Sequence, residues 1–141
     1  MSLDKITTVN NYGNIDLSAI SILSLVSTHA DLGIKKPVIY YFVSDDEMLR
    51  VNKENLGHDT YTDIITFDYE KDKDIEHNEV LISWDRVLDN AKTFKKSIKN
   101  ELHRVCIHGL LHLAGHNDRS NKEKQKMRAL EDKYLNLYCS T

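Results

Sequence analysis

Cysteine, proline and tryptophan are scarce in this 141-residue sequence, which holds two, one and one of them respectively. The two cysteines, Cys106 and Cys139, provide no disulfide framework, and Cys106 falls inside an apolar stretch where it serves as a small hydrophobe. No apolar run approaches the ~20 residues that a membrane-spanning helix needs, so no membrane partner is expected. Met1 to Asn11 lack the basic start, apolar stretch and small-residue cleavage site of an export signal, and the cytoplasm is the expected location. Charge of neither sign dominates. The formal net charge of −3 offers no general attraction to nucleic acid, and a polyanionic partner would have to be met by a local basic patch. Lys92, Lys95, Lys96 and Lys99 form one candidate cluster, and Arg119, Lys122, Lys124 and Lys126 another. On composition alone both read as solvated lysines on helix faces. Internal repeats and low-complexity segments are also absent, and the length suits one domain spanning residues 1–141. Oligomeric state is left open.

What the chain does contain is the stretch Val105-Cys-Ile-His-Gly-Leu-Leu-His-Leu-Ala-Gly-His-Asn-Asp118. It places His108 and His112 four residues apart in an almost wholly apolar helical run, where two imidazoles on one face need polar partners. A single zinc-like ion satisfies both, at about 2.0–2.1 Å from each nitrogen. A third ligand must come from beyond Gly115, a residue suited to a left-handed turn that ends the helix. If the helix ran on to His116, that residue would lie about 12 Å along the axis from His108, at ~1.5 Å per residue. Three residues past the turn, Asp118 has enough chain to return to the ion. The expected donors are His108, His112 and Asp118, with His116 as the runner-up or as a contact nearby.

The frame H-x-x-x-H-x-x-G-x-x-D matches the spacing of metzincin peptidases, yet Gly109 stands where their general-base glutamate follows the first histidine. Peptide hydrolysis by that route would lack its base. Three protein ligands still leave a coordination position open, which is the pattern of a catalytic zinc site.

The rest of the chain predicts an ordered set of elements. Residues 4–10 carry a weak strand signal. Asp16 is the expected N-cap of a helix with Leu17, Ile20, Leu23 and Val26 on its inner face, ending before Gly33. Pro37 precedes the β-branched and aromatic run Val38–Val43, a strand, and Ser44 with Glu47 spells a capping box for a helix that stops before Gly57. A polar loop from His58 to Asp63 leads into a strand alternating Ile65, Phe67 and Tyr69. An exposed turn over Glu70–His77 then joins it, as a hairpin, to a strand over Glu79–Trp84. Asp85 is expected to begin a helix with Val87, Leu88, Ala91 and Phe94 inside. The histidine helix follows over 98–115, and Ser120 with Glu123 opens a last helix with Met127, Leu130, Tyr134 and Leu137 facing the core. The order implies an α+β fold, with helices packed around a small mixed β-sheet and a central buried helix carrying the metal ligands.

Three segments resemble the YbeY family of bacterial metal-dependent endoribonucleases and ribosomal RNA maturation factors. His108-Gly-Leu-Leu-His-Leu-Ala-Gly115 is similar to the family's H-G-x-L-H-L-x-G core, Thr62-Asp-Ile-Ile-Thr-Phe67 to its T-D-V-L-S-F loop and strand, and Met127-x-x-Leu-Glu131 to its last helix. The resemblance runs from about residue 38 onward. It implies a zinc-dependent endoribonuclease, with one Zn²⁺, that acts on single-stranded RNA in small-subunit ribosomal RNA maturation and ribosome quality control. Ribosomal RNA and the small subunit or its proteins would then be the partners. Two positions depart from the pattern: Asp118 and His116 replace a histidine and a tyrosine, and Leu56 stands where an arginine is common. A carboxylate at 118 lowers the net charge of ion and ligands from +2 to +1. His58 or Arg104 could replace the missing cation, and Asp63 could orient water or an imidazole. The alternatives are a metal-stabilised ribosome assembly factor that does not cut, and a metal-dependent hydrolase of another substrate.

Overall fold

A computed structural model describes residues 5–57 and 62–139. Four strands, β1 (Ile6–Asn10), β2 (Val38–Val43), β3 (Ile64–Phe67) and β4 (Asn78–Ser83), form one mixed sheet in the order β1-β2-β4-β3. β1, β2 and β4 are parallel, and β3 returns antiparallel to β4 as the predicted hairpin. Among the described residues five α-helices accompany them: α1 (Ile22–Asp31), α2 (Asp45–Leu56), α3 (Trp84–Thr93), α4 (Ile98–Leu113) and α5 (Asn121–Tyr138). The α+β class and the expected order both hold.

Side chains alternate across the sheet because successive residues of a strand point to opposite faces. Tyr40, Phe42, Val80 and Ile82 face the large core shared with Leu102, Ile107, Leu110 and Leu111 of α4. Tyr41, Val43, Ile65, Phe67 and Leu81 face the other way, onto Met48 and Val51 of α2. The histidine helix thus lies on the main face of the sheet, with Leu102, Cys106, Ile107, Leu110 and Leu111 completely buried. Tyr40 donates its hydroxyl to the Cys106 carbonyl at 2.9 Å, which fixes the height of α4 over β2. Both cysteines are free, and burial pushes the Cys106 thiol far above its ordinary value.

Several local expectations are corrected. Asp16 caps only a three-residue 3₁₀ turn, and Ser21 opens α1 by accepting from the Ser24 amide, so Leu23 emerges into solvent. Ser44 caps α2, but the Glu47 carboxylate pairs with Arg50. α3 starts at Trp84 under Ser83 rather than at Asp85, and Leu88, Phe94 and Leu137 are exposed. Tyr69 lies past the end of β3. Glu70–His77 is a built loop rather than a simple turn: the Lys36 ammonium donates to the Tyr69, Asp72 and Ile75 carbonyls, and the Glu70 carboxylate accepts from the Lys35 and Lys36 amides. The second capping box, Ser120 with Glu123, is present in full.

Candidate metal centre

Helix α4 opens under Ser97, which accepts from the Asn100 amide, and runs sixteen residues to Leu113. At 3.6 residues per turn, His108 and His112 stack on one face near its end. Gly115 has φ +97, a conformation that favours glycine, and the chain turns there. Asp118 comes back over the last turn of the helix. Its Oδ2 lies 3.3 Å from His108 Nε2 and 3.5 Å from His112 Nε2, and the two imidazole nitrogens are 3.0 Å apart. One ligand atom from each of these residues falls within 4.8 Å of the others, a grouping that could hold a metal ion. His116 is not in it, and its backbone amide closes onto the Leu111 carbonyl.

The donor set fits a zinc-class ion. Four ligands placed tetrahedrally at the usual zinc distances are separated by about 3.3 Å, close to the three separations seen here. Behind His108, the Glu131 carboxylate of α5 accepts from Nδ1 at 2.7 Å, which places the proton on Nδ1 and leaves the Nε2 lone pair facing Asp118 and His112. Arg104 in turn donates to Glu131 Oε1 at 2.9 Å and to Asp132 at 2.6 Å. The chain Arg104–Glu131–His108 is therefore a continuous support for one candidate ligand. Glu131 is the residue that sequence reasoning missed as a functional element. Its signal was present, an acid closing the Met127-x-x-Leu-Glu131 segment on the inner face of the last helix.

The electrostatics divide the two histidines. Burial disfavours the charged form of both. At His108 that effect is outweighed by the Glu131 hydrogen bond and the nearby carboxylates of Glu131, Asp118 and Asp63, and its pKa is raised. At His112 burial acts with the neighbouring His108 charge, and its pKa is lowered. Burial also pushes the Asp63 carboxyl above its ordinary value, against the pull of His108.

Two clefts meet at this group. The first, of about 420 Å³, is lined by His108 and Asp118 together with Asp63, Glu101, Arg104 and Glu131, among others. The second, of about 710 Å³, lies on the His112 side, where Leu56, Thr62, Asn117 and Arg119 contribute. Asp63 and Arg104 thus share a cleft with His108, and the Arg104 guanidinium is engaged by two carboxylates. His58 lies outside the described residues. Gly109 packs against the sheet: a Cβ there would meet Val80 Cγ1 at 3.1 Å and Ile64 Cδ1 at 3.2 Å, so any larger residue, a peptidase-type glutamate included, would press on both side chains. Among the described residues no helix is long and apolar enough to cross a membrane.

The profile of the family described as Endoribonuclease YbeY matches residues 5–138. The Endoribonuclease YbeY of Cytophaga hutchinsonii is 51% identical over 98 residues, spanning 70% of this chain and 68% of that protein. That of Phocaeicola vulgatus is 49% identical over 100 residues, spanning 71% and 72%. The solution structure of TM1509 from Thermotoga maritima superposes with a TM-score of 0.61 at 25% identity, over 93% of this chain and 89% of that one. A family profile that covers nearly the whole chain, and relatives identical at about half of the aligned positions, place this chain in the endoribonuclease YbeY family.

Proposed function

We propose that the chain, acting as one domain, is a zinc-dependent endoribonuclease that cuts single-stranded RNA during small-subunit ribosomal RNA maturation and ribosome quality control in the cytoplasm. The observation that carries this is the convergence of His108, His112 and Asp118 at separations of 3.0–3.5 Å beside an open cleft. These three residues would hold one ion. When bound, such an ion supplies Lewis acidity toward a phosphoryl oxygen or water. Glu131 keeps the proton of His108 on Nδ1, and Arg104 keeps Glu131 in place, so Arg104 acts through the ligand rather than on a phosphate. Asp63, with its carboxyl pushed up by burial, orients water in the cleft and can hold a proton there. The names of the relatives supply the substrate class; ribosomal RNA and the small subunit are the expected partners.

The test is cleavage of a single-stranded RNA by the zinc-loaded protein, its chelated form and His112→Ala. Loss of cutting in the last two, with RNA still bound by the folded variant, is expected. Binding without cutting in the wild-type protein would instead identify a non-cleaving assembly factor, and activity confined to small esters or phosphoesters a different hydrolase.

A further inference from the structure

The first cleft does not end at the metal donors. Along α4 it passes from His108 back to Arg104 and Glu101, seven residues or about 10 Å along the axis. Its wall there is Val105 and Met127, both buried, and its rim is Phe94 with Asn90. Phe94 is 56% exposed, although apolar spacing would turn it inward. The cause is the way α3 stops. Lys95 adopts the left-handed conformation, φ 56, and the amides of Lys95 and Lys96 close onto the carbonyls of Lys92 and Ala91. This is a Schellman ending with a lysine in the position where glycine is usual, and Phe94 sits immediately before it at the cleft. Lys124 and Arg128, four residues apart on α5, also line the cleft; neither side chain makes a hydrogen bond or close ion pair with another described residue, although the Arg128 charge acts on Glu101 in the same cleft.

We propose that Phe94 is a stacking platform for one nucleobase of the single-stranded RNA whose backbone meets the metal centre. The inference rests on the RNA reading above and adds a subsite to it. The cleft brings together the candidate metal donors His108 and Asp118, the exposed ring of Phe94, and the cations Lys124 and Arg128, which offset the carboxylates of Asp63 and Glu101 on the same lining. A single strand offers the complement, a π-face on every nucleotide and a phosphate between each pair. The side-chain amide of Asn90, which bonds to no other described residue, is placed to read the edge of the stacked base. A paired base inside a duplex cannot present its face, so the subsite favours unpaired RNA.

Equilibrium binding to a fluorescein-labelled RNA dodecamer, and to an abasic ribose-phosphate strand of the same length, tests this, with His112→Ala present in every protein compared so that the strand stays uncut. Phe94→Ala should weaken RNA binding about tenfold, Phe94→Trp should preserve it, and the abasic strand should bind wild type and Phe94→Ala alike. Wild-type affinity in Phe94→Ala, or equal losses for RNA and abasic strand, overturns the proposal. Binding is read without cleavage, so the two readings fail separately. A Phe94-dependent complex that is never cut removes only the nuclease assignment. Cutting that His112→Ala abolishes, with RNA binding indifferent to Phe94, removes only the stacking site. Failure of the wild-type protein to bind RNA removes both.

Discussion

His108 Nδ1 and Glu131 Oε2 are 2.7 Å apart, and they join two helices whose sequence positions differ by 23 residues. If His108 holds the proposed ion, this contact makes Glu131 its orienting group rather than a ligand. Glu131→Gln should lower zinc affinity about 10–100-fold, as measured by competition with a chromophoric chelator. Affinity equal to wild type would show that the carboxylate does not set the imidazole.

At Gly109 the helix α4 packs closely on the sheet. Alanine there gains up to ~1 kcal/mol of helix propensity but drives its methyl against Val80 and Ile64. Strain of this kind typically costs about 1–3 kcal/mol. A net loss of about 1 kcal/mol is expected in urea denaturation of Gly109→Ala. A midpoint at or above wild type would show that the two strand side chains yield freely.

At Lys95 the sign reverses. A left-handed residue with a side chain costs roughly 1–2 kcal/mol, and glycine returns part of that as extra freedom in the unfolded chain. Lys95→Gly should stabilise the protein by about 0.5–1 kcal/mol, seen as a rise in Tm.

The Glu70 loop makes acid stability measurable at one position. Burial tends to raise the Glu70 pKa, but the Lys35 amide, the Asn78 side chain and the Lys36 amide, all donating to its carboxylate, bring it below the ordinary 4.5. A folded-state pKa below the unfolded one stabilises the protein above the unfolded value, and that contribution disappears as pH falls through the folded value. The stability gap between wild type and Glu70→Gln should therefore be full near neutrality and close below about pH 4.5. A gap independent of pH would rule out the carboxylate as its source.

How far the molecule could be foreseen differs from element to element. The two stacked histidines, the turn at Gly115 and the β3–β4 hairpin follow from spacing and local conformation, which are short-range properties. The donation from His108 to Glu131 joins residues far apart in the chain, and only packing of α5 on α4 creates it. Leu23, Phe94 and Leu137 were misplaced for a related reason. Apolar periodicity extends through the ends of helices, whereas the caps at Ser21 and Lys95 decide where each face begins and ends. Arg119 lines the same cleft as Leu56, a neighbour that no linear spacing connects to it.

The three donors are divided between a rigid helix and the short segment after Gly115. An ion held as proposed would clasp the α4–α5 junction, and the chain entropy released on its departure would be confined to that junction. Amide hydrogen exchange of residues 114–120 should report loading directly, slowing when zinc is bound, while the amides in the middle of α4 stay protected in either state.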